Sequence, residues 1–189
     1  MQDKDELLEF LMRDDVYARL VLGAAEVAEI VPEVLPMVGL DHRNPHHQYD
    51  IWVHTAHCVA FAPKDPLVRL TLLLHDIGKP VTYRVGPDGV AHFRKHEEIG
   101  AEIAAPRFRA LGFEEETVML LSDLIRIHDK DILPGELRTW ITRLGTGGVL
   151  MLLDIKEADA RAHGEAYRTV RAEQARELRR LINEQAADS

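Results

Sequence analysis

An all-α bundle carrying one short β-hairpin-like flap is the fold class this sequence predicts, and three observations predict it. Apolar residues recur at i, i+3, i+4 and i+7 along most of the chain, and proline and glycine cut that pattern into segments of helix length. Only residues 81–93 abandon it. Leu7, Leu8, Leu11, Val16, Leu20, Val27, Ile30 and Val31 keep helical spacing until Pro32 and Pro36, so residues 1–31 read as a helical cap. Residues 32–50 hold three prolines and the polar run DHRNPHHQYD, an ordered loop leading into a helix over about 50–62. His54, His57, Cys58 and Phe61 share one face of that helix. Pro66 suits the first turn of the next helix, whose apolar run LVRLTLLLHDIG reads as buried almost all round and stops at Gly78, with Pro80 behind it.

The flap follows as VTYRV, the turn signal GPDG, then VAHF, the one strand candidate. Helical spacing resumes from about Glu97 to Leu111, where Pro106 should kink or interrupt it. An acid-started helix over 114–128 ends at His128, and Pro134 with Gly135 opens another. After the glycine-rich GTGG, VLMLLDIKEADARAH forms a long amphipathic helix. A last helix over about 165–185 places Tyr167, Val170, Leu178 and Leu181 on one stripe.

Composition suits a single folded domain over 1–189, since this length with 46% hydrophobic residues can bury a substantial core. A formal charge of -9, from 23 basic and 32 acidic residues, argues against affinity gained by blanketing nucleic-acid phosphates, although a local basic pocket fits. Cys58 is the sole cysteine, which excludes internal disulfides and thiolate zinc clusters and points to a reducing compartment. The N-terminal MQDKDELLEF has no signal-peptide core, and no stretch is long and apolar enough for a membrane span, so the expected location is cytoplasmic and no membrane partner is expected.

Chemistry concentrates in His54, the His75–Asp76 doublet, His96, His128 and Asp159. Together they offer imidazole nitrogens and carboxylate oxygens, the donor set divalent transition metals favour. Burying an ionisable pair at the end of an apolar run costs several kcal/mol unless a metal or partner compensates it, roughly the situation of the doublet. Asp154 and Glu157 compete with Asp159 for its role if the helical register differs. The core over 32–163 is thus expected to be metal-binding, with 164–189 as a C-terminal helix.

These motifs resemble the HD-domain superfamily of metal-dependent phosphohydrolases. NPHHQYDIWVHT, LLLHDIGKP, HFRKHEEIGAE, LIRIHD and LLDIKEADARA also follow the order and spacing of the HD region of bacterial tRNA nucleotidyltransferases, over about residues 30–165. The resemblance implies a helical bundle with one divalent ion (Mn, Fe, Co, Ni or Zn) held by His54, His75, Asp76 and Asp159. It implies a second held by His96, His128 and a bridging Asp76. The glycine-rich loop and paired strand carboxylates of a nucleotidyltransferase head have no counterpart here. Asp129 and Asp131 lack the preceding glycine-rich strand and read as structural, so nucleotide addition to tRNA is not expected.

The expected chemistry is hydrolysis of a phosphoester by metal-activated water, with Asp76 at its centre. The expected substrate is a small nucleotide, a cyclic phosphate or an RNA-end phosphate. Lys79 in HDIGK is a candidate substrate contact, or a solvated residue near a helix C-terminus. Arg94 and Lys95, with Arg84 and His92, are candidates to meet substrate from the flap, and surface solvation would explain them equally. His46, His47 and Asp50 would either support ligand imidazoles through hydrogen bonds or cap the following helix. His57 reads as packing, and His42 and His163 carry no assigned role. The competing reading is a binding or regulatory module in which metals hold the bundle together and a separate partner supplies catalysis.

Overall fold

The computed structural model describes residues 2–43, 49–163 and 165–187. Among them it shows α1 (Gln2–Leu11), α2 (Val16–Leu22), α3 (Ala24–Ile30), a 3-10 turn at Pro32–Met37, α4 (Ile51–Phe61), α5 (Pro66–Leu74) and α6 (Lys79–Thr82). The hairpin of β1 (Arg84–Val85) and β2 (Ala91–His92) precedes α7 (His96–Ala110), α8 (Glu115–Ile127), a 3-10 turn at Pro134–Glu136, α9 (Leu137–Arg161) and α10 (Glu165–Ala187). The all-α expectation with one small hairpin is what is found. No described helix is long and apolar enough to cross a membrane.

The centre of the bundle is α5. Val68, Leu70, Leu72, Leu73 and Leu74 are fully buried, because α1, α4, α8 and α9 pack around this helix on every side. Asp65 starts α5 by accepting from the amides of Leu67 and Val68 at 2.8 and 3.0 Å, and Pro66 supplies a first-turn residue that needs no donor. Asp50 starts α4 in the same way, accepting from the Val53 amide at 2.8 Å. Its observed part is thus the cap, and His46 and His47 lie outside the described residues.

One buried cation ties the cap to this centre. Arg69 on α5 is 4% exposed and donates from Nη1 to Leu11 O (2.7 Å), from Nη2 to Ala62 O (3.1 Å) and from Nε to Pro63 O (3.1 Å). These carbonyls lie at the C-terminal ends of α1 and α4, where helices leave acceptors unsatisfied and carry partial negative charge. Replacing Arg69 with Met is expected to destabilise the fold by about 3 kcal/mol, since charged hydrogen bonds vanish while their acceptors stay buried. A urea-unfolding midpoint equal to the wild type's would show that the three carbonyls find water instead.

Local structure departs from expectation at Pro80, at the start of the flap, at Pro106 and on the buried face of α10. Pro80 begins α6 rather than following a stop, because its missing donor is harmless in a first turn, and Thr82 Oγ1 closes that turn on Gly78 O at 2.9 Å. The flap therefore starts at Arg84 rather than at residue 81, and pairs Arg84 with His92 and Val85 with Ala91. Pro106 does not interrupt α7. It is exposed, so the carbonyl that loses its amide partner, that of exposed Glu102, faces water. The glycine-rich GTGG does mark an interruption, as expected: α9 breaks at Gly145, whose φ of 70° only glycine adopts freely. On α10 it is Ala175, Leu178 and Ile182 that are buried, whereas Tyr167 and Val170 are 41% and 53% exposed.

Candidate metal centre

The reactive side chains sit at helix ends that meet at one end of α5. His54 lies one turn into α4, His75 caps α5 with Asp76 next to it, His96 is the first residue of α7, His128 caps α8, and Asp159 stands in the last turn of α9. All six are buried, with no residue more than 8% exposed. From five elements they reach a single cluster.

Asp76 divides that cluster in two. Its Oδ2 faces His75 Nε2 at 3.3 Å and His54 Nε2 at 3.8 Å, while its Oδ1 faces His96 Nε2 at 3.3 Å and His128 Nε2 at 4.0 Å. Asp159 joins the first group, with Oδ1 at 3.0 Å from His54 Nε2 and 3.8 Å from His75 Nε2. Asp154 and Glu157, its rivals by sequence, both accept from Arg179 instead, at 2.6 and 2.9 Å.

Backbone carbonyls fix the imidazoles. His75 Nδ1 meets Leu72 O at 2.7 Å, His96 Nδ1 meets Phe93 O at 3.0 Å, and His128 Nδ1 meets Ile125 O at 2.7 Å, in each case three residues back. A carbonyl only accepts, so Nδ1 carries the hydrogen and Nε2 is the atom turned toward the carboxylates. His75 Nε2, His96 Nε2 and Asp76 Oδ1 are buried without a hydrogen-bond partner. Orphaned donors of this kind are what a cation between them would satisfy, and the nitrogen and oxygen set suits a divalent transition metal. The residues present fit the expected ions.

Electrostatics point the same way. Burial pushes the His75 pKa down to about 4, so its imidazole is neutral at neutral pH and its Nε2 lone pair is available. Burial also works against the Asp76 carboxylate, but the charges of His75 and Lys79 and the nearby His96 outweigh it and hold the group well below the usual range. For Asp159 burial is likewise overcome, here by His54, His163 and His75, and the carboxylate stays ionised. Burial opposes a charged His96, yet the Asp76 carboxylate 3.3 Å away raises its pKa. A proton there plays the part that a cation would take over.

Lys79 is not a solvated residue. It is 8% exposed, donates to Asp76 Oδ2 at 2.7 Å, lies 3.2 Å from His42 Nε2, and sits 5.5 Å from the centroid of the Phe93 ring. His42 Nδ1 donates to Tyr49 O at 3.0 Å, and burial holds the His42 pKa down to about 4, so its Nε2 accepts from the ammonium. Nothing in the run DHRNPHH distinguishes His42 from its neighbours. The cluster opens into a cavity of about 310 Å³, whose walls also include His92, Phe93, His163 and Tyr167.

Arg94 and Lys95 are exposed and do not line this cavity, and Lys95 pairs with Glu98 at 3.6 Å. Arg84 Nη1 folds back on Tyr83 O. His57 packs between the rings of Tyr17 and Tyr49, centroids 4.5 and 4.3 Å away, as expected of a packing residue. Asp131 pairs with Arg171. Three residues at the cluster escaped the sequence reading: Cys58, 3.4 Å from His54 Nε2; His163, 3.6 Å from Asp159 Oδ1; and Asp129, which faces both His96 and His128. A signal for the last was present, since His128–Asp129 repeats the dipeptide His75–Asp76.

The family model described as the HD domain matches residues 53–162, more than half of the chain. The chain is 37% identical over 141 residues to a CC-adding tRNA nucleotidyltransferase of Thermus thermophilus, covering 70% of this chain and 32% of that protein. It is 31% identical over 134 residues to an A-adding tRNA nucleotidyltransferase of Deinococcus radiodurans, covering 66% of this chain and 30% of that protein. The chain thus spans about a third of the length of these curated relatives.

Proposed function

The chain belongs to the HD domain family, and from that premise we propose that it is a metal-dependent phosphohydrolase. Its substrate would be a nucleotide, a cyclic phosphate or an RNA-end phosphate. The observation that carries this reading is the division of the Asp76 oxygens between two sets of imidazoles, the arrangement a carboxylate needs to serve two cations at once. One ion would be held by His54, His75, Asp76 and Asp159, and another by His96, His128 and the same Asp76. Bound there, divalent ions supply Lewis acidity toward a phosphoryl group and lower the pKa of a coordinated water.

The chain's own residues supply the rest. The backbone-anchored imidazoles hold their Nε2 atoms in place before any ligand arrives, so no reorganisation is needed when one does. Lys79 keeps a positive charge at the cavity wall, where it would meet a phosphate oxygen, and His42 fixes its direction. Phe93 and Tyr167 offer rings against which a base or ribose can lie. A cavity of about 310 Å³ accommodates a phosphate and part of a nucleoside, so a longer RNA would enter by its end. Arg94 and Lys95 would meet only parts of a substrate that protrude from it. Because both relatives are named for tRNA, RNA-end and 2′,3′-cyclic phosphates head the substrate panel.

The test is turnover of 3′-phosphorylated RNA oligonucleotides, 2′,3′-cyclic nucleotides, p-nitrophenyl phosphate and bis(p-nitrophenyl) phosphate by protein loaded with manganese, cobalt or nickel. Hydrolysis that vanishes on chelation is expected, and loaded protein inert toward the whole panel would overturn the enzyme reading in favour of a binding module. Lys79→Met is expected to leave metal content unchanged and lower kcat/KM by roughly 10²-fold, the scale of losing one charged contact to the transition state. Wild-type kinetics in that variant would remove Lys79 from the substrate's path.

A further inference from the structure

We propose that Asp129 is a ligand of the second cation position, closing it from the solvent side; this rests on the metal-centre reading above. His96, His128 and Asp129 each bring one donor atom within 4.8 Å of the others. The two carboxylate oxygens are shared out between the rings, Oδ1 at 3.5 Å from His128 Nε2 and Oδ2 at 3.6 Å from His96 Nε2. These distances are too long for good hydrogen bonds.

The direction of the rings makes the arrangement informative. Both imidazoles have committed Nδ1–H to a backbone carbonyl, so in their neutral form each turns a lone pair toward Asp129. Lone pairs facing an anion repel it, and the contact becomes favourable only with a positive centre, a proton or a cation, between them. His96 Nε2 is also buried with no hydrogen-bond partner, between Asp76 Oδ1 at 3.3 Å and Asp129 Oδ2 at 3.6 Å. The buried Asp76 Oδ1 lies 3.3 Å from His96 Nε2 and 4.0 Å from His128 Nε2. The second position then offers two imidazoles and two carboxylates. One carboxylate is fully buried and the other, Asp129, is 49% exposed at the cavity wall. The exposed carboxylate is the ligand an incoming phosphate oxygen could displace without disturbing the buried ones.

The test is calorimetric titration of metal-free protein with manganese or cobalt, in the wild type, Asp129→Asn and Asp131→Asn. Asp131 is an acid two residues further on that pairs with Arg171 and serves as the charge control. Two ions are expected in the wild type. In Asp129→Asn the first should bind unchanged and the second about 10–100-fold more weakly, while Asp131→Asn matches the wild type. Asp129→Glu, which restores a carboxylate, should recover part of the loss. Unchanged second-ion affinity in Asp129→Asn overturns the assignment alone, as does an equal loss in Asp131→Asn, which would make the effect one of distant charge. A wild type that binds no ion overturns the metal-centre reading itself.

Discussion

Asp76→Ala is expected to empty both cation positions and abolish phosphoester turnover, a larger loss than removal of any single histidine. Each imidazole serves one group, whereas the Asp76 carboxylate presents one oxygen to His54 and His75 and the other to His96 and His128. Elemental analysis of the purified variant checks this directly, and two ions per chain would contradict the bridge. Stability supplies a second readout. Without Asp76, the Lys79 ammonium remains buried against His42 and the Phe93 ring with its carboxylate partner gone, and stranding one member of a buried ion pair costs about 3–5 kcal/mol. Asp76→Ala combined with Lys79→Met should recover much of that stability and none of the metal. A double variant no more stable than Asp76→Ala would mean that the ion pair contributes little.

What could be read from the chain and what could not divides along the range of the interactions. Helix limits set by local signals, such as Asp65 with Pro66 or the acids opening α8, follow from a few neighbouring residues. The His75–Asp76 doublet was legible because an ionisable pair at the end of an apolar run is expensive to bury without a partner, and the other four proposed ligands through their donor type and the resemblance to HD proteins. Pro80 was misread because the same missing donor that ends one helix suits the first turn of another. His42 was legible only in three dimensions, and Asp129 only through a dipeptide repeat that a local reading passes over. His42 is one of three histidines in a polar loop, and its contact with Lys79 spans 37 residues. Asp129 was assigned by comparison with a strand motif, although the pair it forms with His128 mirrors the central doublet. Arg94 and Lys95 looked apt because the flap brings basic residues close together in sequence. Yet the strands are only two residues long, and of the flap's polar side chains it is His92 that lines the cavity.

Gly78→Ala tests how the two halves of the centre are held in register. Gly78 lies two residues beyond Asp76 with φ −80° and ψ −15°, a conformation open to any residue, so backbone strain does not explain a glycine here. Space does. A Cβ at this position would stand 2.1 Å from His96 O, 2.7 Å from Gly100 N and 3.0 Å from His96 C, all backbone atoms of the first turns of α7 that cannot swing aside as a side chain can. Relief requires α7 to retreat by about 1 Å, given normal carbon–oxygen contact distances, and His96 is its first residue. The His96 Nε2 to Asp76 Oδ1 separation, now 3.3 Å, would open, and the second cation position would lose a ligand while the first keeps His54, His75, Asp76 and Asp159. The expected result is one ion per chain instead of two, with stability lower by about 1–3 kcal/mol from overpacking. Gly100→Ala is the milder comparison, since its Cβ would find Gly78 N at 3.3 Å and Ile125 Cγ2 at 3.5 Å, contacts that small shifts relieve. Two tightly bound ions and an unchanged unfolding midpoint in Gly78→Ala would show that α7 can move without carrying His96 away from the centre.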